Sequence, residues 1–479
     1  MLKKKSIAGI VLFVALALAG CNKWKDHTAV EQQNLKQNLL QAIASNPSLS
    51  KFAEYVRTAG LDSLLQATKT FTVWAPTNTA LQAIDPAIPA DVNKLRAFVL
   101  NHISNQLYFT RDVQAAVNIQ MLGGKYNLFN TIKFGEAALG ATDSYVNNGV
   151  LHIINGIVPP AQNIWEFINS TKAQYAQNAY IFSLNYSGFD PATAIIDSIS
   201  VNTGLPVYRP GTGVVARNYF NDRVYDMKRE DKQYTYFVMQ DANFAVEADS
   251  LKNYYSTISA AVSTDSLTRW NVVKDLAYEV AYQNPLAIPA SLLSRSGITV
   301  PFNTAFVVDV KKLSNGYVYI MSRMDVPTVN KFIPIILQGE SPSGFLSDRT
   351  GNTNYRIRRN PVTGINFSDI MVTGHGVTTY YSFYRVNETP SIRYQVYASA
   401  INDFQATAFS QTINAWHTGL AAVQGTLTHA VPLFSAAGAY NEVNLGTITI
   451  SKYGTVEWRL TAITTGPMVL DYLRLVPLP

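Results

Sequence analysis

The sequence predicts an α+β protein: two mixed helix-and-strand domains in tandem, followed by a mainly antiparallel β-sandwich. Three observations predict it. A pair of strand-and-turn motifs occurs twice, with 77 positions between Phe71 and Asn148 and 81 between Tyr234 and Asn315, which is the spacing of a diverged duplicate. Helix-period apolar residues stand in front of the first motif of each pair. Beyond about residue 329, short alternating runs are punctuated by Gly446, Gly454 and Gly466, a pattern that suits a meander or sandwich.

The start of the chain has the layout of a processed export signal. Lys3, Lys4 and Lys5 form a basic start and Ile7 to Ala17 a short apolar core, too short for a permanent membrane span. Leu18-Ala19-Gly20-Cys21 closes it and resembles a bacterial lipobox, which implies cleavage before Cys21 and fatty acylation (palmitate) of that residue. The alternative is an ordinary secretory signal that carries a cysteine. The expected division is 1–20 signal, 21–32 lipidated Cys21 and tether, 33–165 first domain, 166–328 second domain and 329–479 sandwich. Cys21 is the single cysteine of the chain, so once it is acylated, disulfides, thiolate metal sites and cysteine nucleophiles are excluded. Two or more acyl chains would anchor the protein stably to a membrane.

Charge excludes another class. The chain has 38 Lys and Arg against 32 Asp and Glu, and cleavage removes three of the lysines, so the mature charge is too small for a nucleic-acid grip.

In the first domain, Leu35, Leu39, Leu40, Ile43, Leu49, Phe52 and Val56 predict one or two amphipathic helices divided at Asn46-Pro47. Phe71 to Ala75 reads as a strand stopped by Pro76-Thr77-Asn78, with Asn78 placed to accept from amides of the following turn. Leu95 to Leu100 reads as a helix running into a polar corner, Asn101-His102. Short strands and turns follow to Asn148-Gly149, a turn that feeds the alternating run Val150-Leu151-His152-Ile153-Ile154; Asn155-Gly156 turns the chain again.

These segments, carried by Phe71, Ala75, Pro76, Thr77, Asn78, Asn101, His102, Asn148, Gly149, His152 and Gly156, resemble the fasciclin (FAS1) domain over roughly residues 33 to 165. The resemblance implies a compact wedge of strands flanked by small helices, of a kind found in secreted and anchored adhesion proteins. In the second copy, Tyr234 to Asp241 repeats Phe71 to Asn78, and Asn315-Gly316 to Met321 repeats Asn148 to Ile154. This copy departs from the pattern: Met239 stands for Pro76, Tyr319 for His152, and no histidine matches His102. Residues 180 to 232, broken by Gly204, Pro206, Pro210, Gly211 and Gly213, read as an enlarged loop. The last hundred residues resemble galactose-binding-like sandwiches, including carbohydrate-binding modules.

Catalytic material is thin. His102 and His152 form a conceivable acid/base pair, but His152 shares a strand face with Val150 and Ile154, which favours a packed structural ring. His375 and His417 lack a second ligand at metal spacing, and HExxH, GxSxG, P-loop and dinucleotide motifs are missing from the sequence. No catalytic residue, metal or cofactor is expected; a glycan-active enzyme, whose carboxylates meet only in space, is the least favoured alternative. For glycan binding, exposed aromatic rings can stack on the C–H faces of sugars. Trp416, Tyr440, Trp458 and Tyr472 are the candidates; Trp458 and Tyr472 lie in strands, where core packing is the expected fate, so Trp416 and Tyr440, in less regular surroundings, are favoured. Asn402, Asn414 and Asn441 are the polar companions.

The expected function is non-catalytic: a lipid-anchored outer-membrane protein that mediates adhesion or glycan binding at the cell surface, with envelope proteins or extracellular glycan as partners. The alternative is a protein–protein scaffold that binds no carbohydrate. The organisation resembles Bacteroidetes surface lipoproteins that accompany glycan capture.

Overall fold

A computed structural model describes residues 35–258, 262–360, 364–434 and 441–479. The signal, Cys21, the tether and Tyr440 lie outside the described residues. The chain divides into two compact units, Met1–Gln162 and Asn163–Pro479.

In the first unit, helix Leu39–Ser45 starts at Asn38, whose side chain accepts from the Gln41 amide while the Gln41 side chain accepts from the Asn38 amide. Such a capping box satisfies two of the amides a helix start leaves open. Asn46 caps the short turn Pro47–Leu49, and helix Ser50–Thr58 buries Phe52, Ala53, Tyr55 and Val56. The centre is a parallel strand pair, Phe71–Pro76 beside Gly149–Ile154, flanked by antiparallel Ile103–Ser104 and Ser144–Val146. Every residue of Phe71–Pro76 is buried. Burial on both faces explains why the strand reads as a continuous run rather than an alternation. Phe71, Val73 and Ala75 pack against the helices, whereas Trp74 points to the other side, into Phe129, Phe134 and Ile154.

The second unit opens with the same plan. Helix Ile164–Ser170 has an Asn163–Glu166 capping box, and strand Tyr234–Met239 pairs in parallel with Gly316–Met321 between antiparallel Ala277–Tyr278 and Val307–Leu313. The match extends to single hydrogen bonds. The Asn148 side chain accepts from the Leu39 amide and donates to the Leu65 and Ala67 carbonyls; that of Asn315 accepts from Ile164 and donates to Met227 and Arg229. Thr72 and Thr235 each donate to a carbonyl, of Gln106 and Val280, and each accept from an amide, of Tyr108 and Tyr282.

Residues 180 to 232 are not a simple loop. They hold two two-stranded sheets, Asn185–Phe189 with Val214–Asn218 and Ile196–Ile199 with Pro206–Tyr208, and a short helix Tyr219–Arg223. Gly204, Gly211 and Gly213 have φ of 68° to 80°. There a glycine avoids the steric cost other residues carry, so what read as breakers serve the turns that connect these strands.

The C-terminal part is a sandwich of antiparallel strands. A four-stranded sheet runs in the order Ile335–Gln338, Tyr472–Leu478, Arg393–Ser399, Val443–Thr449. A five-stranded sheet runs Gly344–Phe345, Tyr381–Thr389, Gly454–Ala462, Phe409–His417, Val423–Val431. A three-stranded sheet adds Thr353–Arg359, Asn366–Val372 and Met468–Leu470. Tyr394, Val396, Ile413, Trp458, Leu460 and Leu473 fill the interior, and this core is continuous with that of the preceding domain through Tyr255 and Phe332.

Candidate functional site

The two fasciclin-motif histidines are not brought together as an acid/base pair. His102 is fully buried; its Nδ1–H donates to the Phe98 carbonyl at 2.8 Å and its Nε2 faces the Val158 amide at 3.4 Å. His152 is stacked on Trp74, donates from Nε2 to the Tyr108 carbonyl at 2.9 Å and accepts the Asp143 amide on Nδ1 at 3.3 Å. Each ring thus has one donor and one acceptor partner, the pattern of a neutral imidazole. Burial pushes the His102 pKa down to about 4, against the opposing effect of the Phe98 carbonyl, and lowers that of His152 as well. In the second copy Tyr319 takes over the strand contact, its hydroxyl donating to the Tyr282 carbonyl at 2.7 Å. The histidine was lost and the bond was kept.

The other motif residues are structural too. Asn78 does not cap the following turn. It reaches back across the fold, accepting from the Lys51 amide and donating to Pro47 and Ser50, and Asp241 accepts from the Ala176 amide in the same way. Asn101 donates to the Val158 carbonyl, Thr77 accepts from the Ala80 amide, and a side chain at Gly156 would press on Ala137. Among the described residues, no group of three or more His, Cys, Asp or Glu is placed to hold a metal.

The sandwich aromatics divide into different environments. Trp458 is 0 % exposed, set edge-on to Tyr394 in the core, so it offers no face to a sugar and is removed from the candidates. Tyr472 belongs to the four-stranded sheet, where its hydroxyl donates to Glu442, itself gripped by Arg474. Trp416 lies in a regular strand, contrary to its irregular-looking sequence, and sits where the register with the neighbouring strand shifts between Ala415 and Trp416. Asn402 is buried and holds its own turn through Thr407 and Gln405.

Around Trp416 the five-stranded sheet turns a coherent face outward. Strand pairing sets Tyr381, Phe383 and Arg385 beside Thr461, Arg459 and Glu457, and these beside Thr412, Asn414 and Trp416. All nine share one face, because alternate strand residues do. The Arg459 guanidinium lies 4.3 Å from the Trp416 ring centre and 4.5 Å from that of Tyr381, within cation–π range. Glu457 accepts from Arg459 at 2.8 Å and from Arg385 at 2.9 Å; burial works against its ionisation, but the two arginines hold its carboxyl below the usual range. Asn414 donates to Thr461 at 2.8 Å. Two rings are therefore pinned by one cation, with amide, hydroxyl and charged groups between them. Sequence reading missed Tyr381, Phe383, Arg385, Glu457 and Arg459, although the alternation Tyr381-Ser382-Phe383-Tyr384-Arg385 carries the signal.

Residues 47–160 match the family profile described as Fasciclin domain. Protein sll1483 of Synechocystis sp. is 26% identical over 178 residues, covering 33% of this chain and 98% of that protein. Human Stabilin-1 is 28% identical over 138 residues, covering 26% of this chain and 5% of its own length. Among solved structures, the FAS1 domain pair of the insect cell adhesion molecule Fasciclin I aligns over 60% of this chain and all of its own, with 16% identity and a TM-score of 0.23. A carbohydrate-binding module of Cellvibrio mixtus lichenase 5A, solved with cellotriose, aligns over 30% of this chain and 98% of its own, with 17% identity and a TM-score of 0.22.

Proposed function

We propose that this chain, two tandem fasciclin-like domains followed by a β-sandwich, is a non-catalytic cell-surface binding protein whose sandwich captures glycan on the Tyr381–Arg459–Trp416 face. The observation that carries this reading is that face: partly exposed rings fixed in orientation by Arg459, interleaved with Asn414, Thr412, Thr461 and Glu457. Rings stack on sugar C–H surfaces, and fixed polar groups read hydroxyls; orientation set in advance reduces the entropy lost on binding. A glycan array probed with the soluble chain that follows Cys21 tests it. Trp416→Ala is expected to lower binding at least about ten-fold, or ~1.4 kcal/mol, while leaving the melting midpoint near that of the parent. Binding to no glycan at all would sink the reading.

The anchoring belongs to the same proposal. Leu18-Ala19-Gly20-Cys21 supports lipidation and, with Asn22 rather than aspartate after the cysteine, an outer-membrane address. Cys21→Ser is expected to move the protein from the membrane fraction to the soluble fraction; retention in the membrane would count against a lipid tether.

A second reading, protein assembly, rests on its own observation. The hairpins between 185 and 218 expose Phe189, Ile196, Ile199, Val201, Leu205 and Val214. Clustered exposed apolar residues mark interaction surfaces, so this part of the second domain suits an envelope-protein partner even where the sandwich holds glycan.

A further inference from the structure

Within the second unit, the helix-and-strand domain and the sandwich enclose a cavity of about 630 Å³, in the size range of small-molecule sites. Its walls come from both. Trp270, Tyr219, Tyr255 and Lys274 stand on one side, Tyr394 and Tyr453 on the other. Aliphatic Leu184, Ile258, Val262, Ile333 and Ile335 complete a mostly apolar lining. Ile258, Val262 and Ile333 remain 42 to 51 % exposed.

The polar groups of the cavity are unequally satisfied. Lys331 is buried, and its ammonium donates to Asp275 at 2.8 Å and to the Asn271 carbonyl at 3.0 Å. Its charge is answered within the protein. Lys274, one residue before Asp275, is partly buried, and its ammonium has no hydrogen-bond or ion-pair partner among the described residues. Burial lowers its pKa, with Lys331 adding repulsion and Asp275 and Glu388 opposing it. Glu388, which also lines the cavity, is exposed, so solvent screens its charge more than that of the partly buried ammonium. The Tyr394 hydroxyl, by contrast, is buried with no partner. A partly desolvated cation without a partner gains from an anion that enters beside it.

We infer that this cavity is a binding site for an amphipathic carboxylate, an organic acid whose aliphatic or aromatic body lies on the Trp270, Tyr255 and Tyr453 walls and whose carboxylate accepts from Lys274. The aliphatic rim favours such a body over a polyol, whose hydroxyls would face Ile258, Val262 and Ile333 unpaired. The site is separate from the outer face of the sandwich and stands whether or not that face binds glycan.

Calorimetric titration of the full chain with decanoate, and with decanol as the uncharged body of the same length, tests the assignment. The expected result is one decanoate site per chain, bound at least about ten-fold more tightly than decanol, the ratio of one charge-assisted hydrogen bond. Lys274→Met is expected to erase that ratio. Ile258→Asp, on an exposed rim residue and therefore compatible with folding, is expected to weaken decanoate several-fold by placing a like charge at the entrance. Saturable binding that is absent, equal for decanoate and decanol, or unchanged in both variants overturns the inference. So does binding of glucuronate in place of decanoate, which would make the site one for acidic sugar.

Discussion

Gly149→Ala and Gly316→Ala are each expected to unfold their own domain at temperatures the parent withstands. Both glycines open the strand that pairs in parallel with the first motif strand, Gly149 opposite Phe71 and Gly316 opposite Tyr234. A Cβ would lie 2.0 Å from the Phe71 carbonyl oxygen in one domain and 1.9 Å from that of Tyr234 in the other. The obstacle is backbone at the first rung of each central strand pair, so no side chain can swing aside. Gly316 also has φ 142°, a region that residues with a Cβ avoid. Overpacking of this kind, with the strain added, costs on the order of 3 kcal/mol or more, equivalent to a midpoint fall of roughly 10 °C for a domain of this size. Differential scanning calorimetry should show the first-unit transition moving in Gly149→Ala and the second-unit transition in Gly316→Ala. A fall of less than about 2 °C in either would mean that the strand pair tolerates separation there.

Acid is expected to destabilise the first domain before ordinary carboxylate titration begins. His102 is neutral in the fold, its pKa pushed down from 6.5 to about 4 by burial. Between those values the unfolded chain takes up a proton that the folded domain does not, so stability falls as pH falls. The contribution is fully present above pH 6.5 and lost on descending to about 4, for a total of roughly 3 kcal/mol. His152, lowered in the same direction, adds to the slope. Protonated His102 would also set an Nε2–H against the Val158 amide. Urea midpoints measured from pH 7 to pH 4 should fall, and His102→Gln should flatten the curve while lowering its neutral end. A pH-independent parent would contradict the neutral assignment.

How much of this was legible in the sequence depended on the range of the interactions. Asn148-Gly149 and Asn315-Gly316 could be read because a turn and a close strand approach restrict residue type locally, and their bonds to Leu39 and Ile164 confirm how alike the two domains are. The exchange of His152 for Tyr319 looked like a lost function. In space it is one donor replaced by another on equivalent carbonyls, a fact invisible until Tyr108 and Tyr282 are seen to occupy the same place. The hairpins of 185–218 were hidden because their glycines and prolines read as breakers and their apolar residues, being exposed, follow no core pattern. In the sandwich, the strand setting of Trp458 already pointed to the core, but the strand position of Trp416 was not readable. Trp458 and Trp416 are both strand tryptophans, the first inward against Tyr394 as expected, the second set outward against Arg459 by its register. The cavity was not legible at all. Its walls are drawn from stretches as distant as Tyr180 and Pro477, which only the packing of two domains brings together.

The most direct test of glycan capture by the sandwich is the position of a bound sugar. A crystal structure of the chain with the glycan that ranks highest on the array is predicted to show a sugar ring against Trp416 or Tyr381, with hydroxyls in reach of Asn414, Arg459 and Glu457. A sugar seated anywhere else on the sandwich, or on the fasciclin-like domains, would contradict the account.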